Sequence, residues 1–348
     1  MGRIKYIDGL KGIGAIMVFL NHYYLFGFPF ASLFDYSIIS DWCANAGLAV
    51  MLFITISGYL GLKIGMSKSS DIHSIICNPI RKYLRFAIPF GLTFIILQIS
   101  YLLGAYNYFD NVIGSSVIHL SMGGENPIVS VSWYELVKAV LVSPMENRFW
   151  DAPLWMMCII FYGSIISFFI GVYIANISIK KQLIIVAFCS LVLFLVNKLY
   201  AGIAGGLFLY FVIGRIHLNK NLRFLIIVIC FIIAYVLNVH FQFGHEIRHT
   251  LISMLIIVGV DNTHYMKSLL ESKVIQFLGK ISFSIYIWHF PIICSLSSWL
   301  CYITNNSFII VFPLSVVSVI AVSYLSYRYL ESASIRIQSY IENTLFCN

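Results

Sequence analysis

Apolar positions in this chain neither alternate nor mark a single helical stripe. They run on unbroken, in stretches close to the roughly 20 residues that a bilayer core requires, and short polar breaks separate them. Reading the runs between breaks predicts ten helices, near 9–28, 44–64, 84–104, 153–175, 182–197, 200–216, 223–239, 247–261, 281–303 and 307–329. Two pairs, 182–216 and 223–261, can each also be read as one longer helix. Gly202, Gly205 and Gly206 in the sixth run predict close helix–helix approach. The expected fold is all-α, a polytopic transmembrane helical bundle of about ten spans, with 1–348 forming a single membrane domain.

Composition narrows the class further. Hydrophobic residues make up 60% of the chain and charged ones 10%, where a soluble protein carries roughly 25% charged residues to wet its surface. No polar stretch is long enough for an appended soluble domain. The first apolar run is too long for a cleaved signal peptide, lacks a small-residue cleavage site and carries Lys11, Asn21 and His22, so it reads as a retained helix. The eight cysteines are scattered, mostly inside apolar runs and with no CxxC pair. They predict packing residues, with neither a metal site nor a disulfide framework.

The net charge of +8 raises the question of a nucleic-acid partner, and its distribution answers it. With the N-terminus placed in the cytoplasm, alternate breaks collect Lys63, Lys68, Arg81, Lys82, Arg85, Lys180, Lys181, Arg215, Lys220, Arg223, Lys267, Lys273, Lys280, Arg328 and Arg336 on the same side as Arg3, Lys5 and Lys11. Of the 22 Lys and Arg, the other side keeps only Lys138, Arg148, Lys198 and Arg248. This is the positive-inside asymmetry. It predicts both termini in the cytoplasm and makes the charge a topology signal that needs no nucleic acid. The longest break, 105–152, then falls outside. It holds Gly123-Gly124, the acids Asp110, Glu125, Glu135 and Glu146, and an amphipathic stretch Trp133–Leu141, and is readable as an acceptor-binding surface or as an interfacial helix.

Ionisable side chains inside a membrane are costly and face a partner or a pocket. Lys11 and His22 are eleven positions apart, which on a helix leaves them about 20° apart around the axis and about 16 Å apart along it. One face thus offers a cation near the cytoplasm and an imidazole deeper in the bilayer. The plainer reading is that Lys11 pairs with Asp8 three residues away and His22 bonds a neighbouring helix. Arg81-Lys82-Tyr83-Leu84-Arg85 is either a topology anchor or a phosphate-binding cluster. In Ser282 to Pro291, His289 lies between Tyr286-Ile287-Trp288 and a proline that must kink or break the helix. It is either an interhelical donor or part of a sugar-binding pocket.

These segments, in this order, resemble the integral-membrane acyltransferase-3 family, whose members O- or N-acylate surface polysaccharides and some small molecules. Tyr6-Ile7-Asp8-Gly9-Leu10-Lys11-Gly12 followed by His22 is similar to its opening motif, an arginine and a histidine separated by ten residues. Phe53 to Leu60 is similar to its "ISGFL" segment, and Lys82-Tyr83-Leu84-Arg85 to its RxxR. Leu278 to Pro291 is similar to "LGxxSYSLYLWHFP", the most specific match. Pro153-Leu154-Trp155 and Tyr327-Arg328-Tyr329-Leu330-Glu331 fit the shorter "LWFL" and "YRxxE". The resemblance implies a multi-pass protein of a bacterial inner membrane that transfers an acyl group, by preference acetyl, from cytoplasmic acyl-CoA to a sugar of a surface glycan.

In that scheme His22 is the catalytic group, and Lys11, Arg81, Lys82 and Arg85 hold the phosphates of acetyl-CoA. Asp8, Ser57, Trp155, Trp288, His289 and Glu331 line the substrate path or support it, with Asp8 read foremost as the partner of Lys11 and Glu331 as closing a salt bridge at the inner face. Lys11 and Lys82 stand where the family has arginine; they keep the charge and lose the planar fork. The rival readings are a transporter or flippase for a lipid-linked sugar or small solute, and an acyltransferase acting on a small hydrophobic molecule.

Overall fold

The computed structural model describes residues 4–25, 42–111, 131–141, 151–213, 220–240 and 244–346. Among them every regular element is helical: α1 Lys5–Leu25, α2 Ala46–Lys68, α3 Ile72–Leu102, α4 Trp133–Leu141, α5 Trp155–Ile174, α6 Ile179–Val196, α7 Ala201–Val212, α8 Lys220–His240, α9 His245–Asn262, α10 His264–Leu270, α11 Lys273–Ile292, α12 Ser298–Ile303, α13 Phe308–Ser326 and α14 Ser332–Phe346. A helix occupies each of the ten predicted intervals. Six helical runs among the described residues are long and apolar enough to cross a membrane: α2, α3, α5, α6, Lys273–Ile303 and Phe308–Tyr340. The other four intervals hold α1, α7, α8 and α9. The 12 residues of α7 rise only about 18 Å, short of a bilayer core of about 30 Å.

Several boundaries differ from the sequence expectation. The third helix starts at Ile72 rather than 84 because Asp71 caps it: the Ser74 amide donates to Asp71 Oδ1 at 3.2 Å, and the Ser74 hydroxyl to Oδ2. These bonds hold the Asp71 carboxyl below its ordinary range. Arg81, Lys82 and Arg85 therefore stand on a helix instead of a loop, with Arg85 one turn beyond the other two. The ninth helix starts at Lys273 and survives Pro291, because the chain widens into a π-helical turn at Ile293–Ser297 before α12. A second π-helical turn, Tyr327–Glu331, carries the last span onward into α14. In the 105–152 segment, Trp133–Leu141 is a helix whose start is a reciprocal capping box. The Ser132 amide and hydroxyl donate to Glu135 at 3.0 and 2.8 Å, and the Glu135 amide returns a bond to Ser132 Oγ at 3.2 Å. Gly123-Gly124, Glu125 and Glu146 lie outside the described residues.

The chain divides into two compact units. The first comprises 1–14, 47–79 and 159–280, and glycine sets its helix spacing. A Cβ on Gly58 of α2 would lie 2.6 Å from the Ile203 carbonyl of α7, and one on Gly206 of α7 would collide with the Thr55 carbonyl of α2. Gly61 meets the Ser164 carbonyl of α5 in the same way, at 2.6 Å. Close approach predicted for Gly202, Gly205 and Gly206 is thus realised: they face Ile54, Thr250 and Thr55. Gly12 of α1 packs against Gly279 of α11 so closely that a Cβ on Gly12 would lie 2.6 Å from the Gly279 nitrogen. The second unit comprises 15–46, 80–158 and 281–348. Phe19, Tyr23, Phe90, Phe94, Phe109 and Phe290 are its largest enclosed side chains.

Candidate active site

In the second unit the distal half of α1 and the distal half of α11 bring two histidines together. His22 is half-buried and His289 fully enclosed; His289 Nε2 lies 3.1 Å from His22 Nδ1, with ring centroids 5.1 Å apart. Phe290 meets His22 edge-on at 5.8 Å.

The hydrogen-bond pattern assigns the tautomers. His289 Nδ1 faces two carbonyl oxygens, those of Ile285 at 3.1 Å and Tyr286 at 2.8 Å. A bare ring nitrogen there would repel both, so Nδ1 carries the hydrogen. Nε2 of the neutral ring is then an acceptor, and it receives the Nδ1–H of His22. His22 Nδ1 also sits 3.0 Å from the Val18 carbonyl, which can share only a donor. His22 Nε2 is left with the basic lone pair of the ring. If His22 takes a proton at Nε2, His289 faces the resulting imidazolium with an acceptor. The two rings cannot both be cationic at 3.1 Å without strong repulsion. The arrangement can accept one proton and orient the group that accepts it.

Some other buried polar groups of this unit also bond from helix to helix. Glu331, in the second π-helical turn, is 7% exposed and accepts from Ser284 Oγ of α11 at 2.6 Å. The Arg85 charge also acts on it. The Ser297 and Ser315 hydroxyls are 2.7 Å apart. Tyr286 donates to the Pro153 carbonyl in the turn before α5.

The remaining predicted residues fall as follows. Lys11 and Asp8 pair at 3.7 Å in the first unit, the plainer of the two readings given for Lys11. Both Lys11 and His22 lie on the unbroken helix α1, so their spacing along one face holds. Ser57 is half-buried beside Gly58, and Gly58 makes the close contact. Arg81 and Lys82 are half-buried and Arg85 exposed. Trp155 is half-buried at the start of α5, whereas Trp288 is 7% exposed and its indole N–H has no partner among the described residues. The described cysteines are free thiols, and no metal-binding cluster occurs among the described residues.

Sequence reasoning missed two features. It treated His22 and His289 as separate groups, since nothing in a single sequence says that positions 267 residues apart meet. It also passed over Asp151, whose side chain is entirely enclosed and whose two oxygens have no partner among the described residues. Burial pushes its carboxyl well above the ordinary range. The signal was an acid at the junction between a polar segment and an apolar run.

Comparison with known proteins gives one result: the family model of the acyltransferase domain, acyltransferase-3, matches residues 4–328. No curated protein and no solved structure matches the chain.

Proposed function

Since the chain belongs to the acyltransferase-3 family, we propose that this membrane acyltransferase moves an acyl group, acetyl by preference, from acyl-CoA on the cytoplasmic side to a sugar hydroxyl of a cell-surface glycan. The observation that carries the reading is the His22–His289 pair, which leaves His22 with a basic nitrogen held in one tautomer. Lys11, Arg81, Lys82 and Arg85 attract the donor's phosphates, and the thioester reaches His22 along α1. His22 Nε2 removes the acceptor O–H proton as that oxygen bonds to the thioester carbonyl carbon. The carbon–sulfur bond then breaks, and the thiolate takes the proton back from His22, giving an ester and free CoA. His289 orients His22 and accepts its N–H while the ring is charged, a positioning role like that of the third member of a catalytic triad. Trp155 and Trp288 serve the acceptor side. Cytoplasmic termini, supported by the distribution of Lys and Arg, about ten crossings, supported by the apolar run lengths, and a bacterial inner membrane, implied by the family resemblance, complete the reading.

The test uses purified protein in detergent with radiolabelled acetyl-CoA. Release of CoA thiol with label transferred to polysaccharide, lost in His22→Ala, is the expected result. Movement of glycan without CoA turnover would instead establish a transporter. The same nitrogen could be transiently acylated, and an acid-quenched protein carrying label without acceptor would identify that variant of the reaction.

A further inference from the structure

Asp151 stands immediately before the turn Ala152–Leu154, with φ −145° and ψ 77°. Its side chain is 0% exposed, and both oxygens lack a hydrogen-bond partner among the described residues. The hydroxyls of Tyr106 and Tyr286 and the thiol of Cys294 lie within reach of its charge. Tyr286 does not satisfy it, because that hydroxyl is given to the carbonyl of Pro153. Tyr286 and Cys294 bracket His289 on one run of chain, α11 and its π-helical turn. Asp151 therefore sits against the stretch that holds the histidine pair, within the same unit.

An enclosed carboxyl with no partner weakens a fold. Such groups persist where a ligand supplies the missing partner and function outweighs the lost stability. We propose that Asp151 is the acceptor-binding group of this site, its two carboxyl oxygens taking adjacent hydroxyl groups of a sugar against the rings of Tyr106 and Tyr286. Two oxygens on one carbon match vicinal hydroxyls, and tyrosine rings match the apolar face of a pyranose. A carboxyl gives no hold to a phosphate or carboxylate, so the portion of the acceptor bound here is neutral. The inference rests on the acyl-transfer reading and names the residue that selects its acceptor.

The test compares the full-length wild type, Asp151→Asn and Asp151→Val, with acetyl-CoA as donor and envelope polysaccharide from cells lacking the gene as acceptor. Both variants should raise the KM for polysaccharide about tenfold or more, the value of a lost hydrogen bond to a buried group. The KM for acetyl-CoA should stay within about twofold, as expected of a residue that binds only the acceptor. Asp151→Val, which removes the unpartnered oxygens at similar volume, should keep or raise the thermal midpoint, a result that a structural role for the carboxyl would reverse. An unchanged polysaccharide KM, an equal loss of donor affinity, or a lower thermal midpoint in Asp151→Val would overturn the inference. Absence of transfer by the wild type would instead remove the acyl-transfer reading, and this inference with it.

Discussion

The seam formed by α2, α5 and α7 and the meeting of α1 with α11 differ in how far their polar atoms reach. In the seam, backbones touch through Gly58, Gly61 and Gly206. Two of the hydroxyls there turn back on their own helix: Ser164 donates to the Phe161 carbonyl and Ser167 to that of Gly163, each at 2.7 Å. In the unit of the histidine pair His22, His289 and Ser315 also bond carbonyls of their own helices, but polar atoms reach across as well, His22 to His289, Ser284 to Glu331 and Ser297 to Ser315. Without a hydrophobic drive between helices in lipid, close packing and interhelical hydrogen bonds are the available adhesives. The first leaves nothing reactive behind, whereas the second places titratable groups inside the protein. On the proposed reading, the first region is scaffold and the second carries the chemistry.

Four substitutions probe that contrast. The largest effect belongs to His22→Ala, which should lower acyl transfer by about 10²–10⁴-fold, the usual contribution of a general base, while the thermal midpoint stays near that of the wild type. His289→Ala should lower kcat by about 10–100-fold with little change in KM, because it removes a hydrogen bond to a group that becomes charged. Gly206→Ala should do the reverse and cost about 1–3 kcal/mol of stability through overpacking, read as a lower thermal midpoint in detergent, with the per-molecule rate of the folded fraction unchanged. The smallest effect is at the cap of α4. Ser132→Ala should reduce helical content there without touching turnover, as circular dichroism of the segment Val131–Leu141 would show.

The same cap predicts a pH dependence. Its bonds to Ser132 hold the Glu135 carboxyl below the ordinary range. The folded value therefore lies below the unfolded one, and the stabilisation is present above the unfolded value. It is lost as pH falls through the folded value. Acidification of the purified protein should loosen α4, read as faster amide hydrogen exchange over 133–141, and Glu135→Gln should flatten that response.

Much of this was legible in sequence, for identifiable reasons. Apolar run length predicted helices at all ten intervals, since in lipid the backbone has few other ways to satisfy itself. The three glycines of α7 announced close packing, and the three-residue spacing of Asp8 and Lys11 announced their pair. The ends of α3, α11 and α13 were misjudged, because hydropathy marks what lipid requires and not where a helix stops. Asp71 capping α3 and the π-helical turns after Ile292 and Ser326 are local hydrogen-bond events that an apolar run does not record. At the site, His22 and His289 were both singled out, yet their pairing depends on α1 lying beside α11, a tertiary fact. Asp151 was missed because an acid at the edge of a polar segment looks solvated until the fold closes over it.

The most direct test of the central claim, that His22 and His289 work as one base, is a double-mutant cycle on single-turnover transfer from labelled acetyl-CoA. If His289 acts through His22, adding His289→Ala to His22→Ala should leave the residual rate within about twofold. A further loss as large as His289→Ala causes in the intact protein would show that the two rings act independently, and would contradict the account.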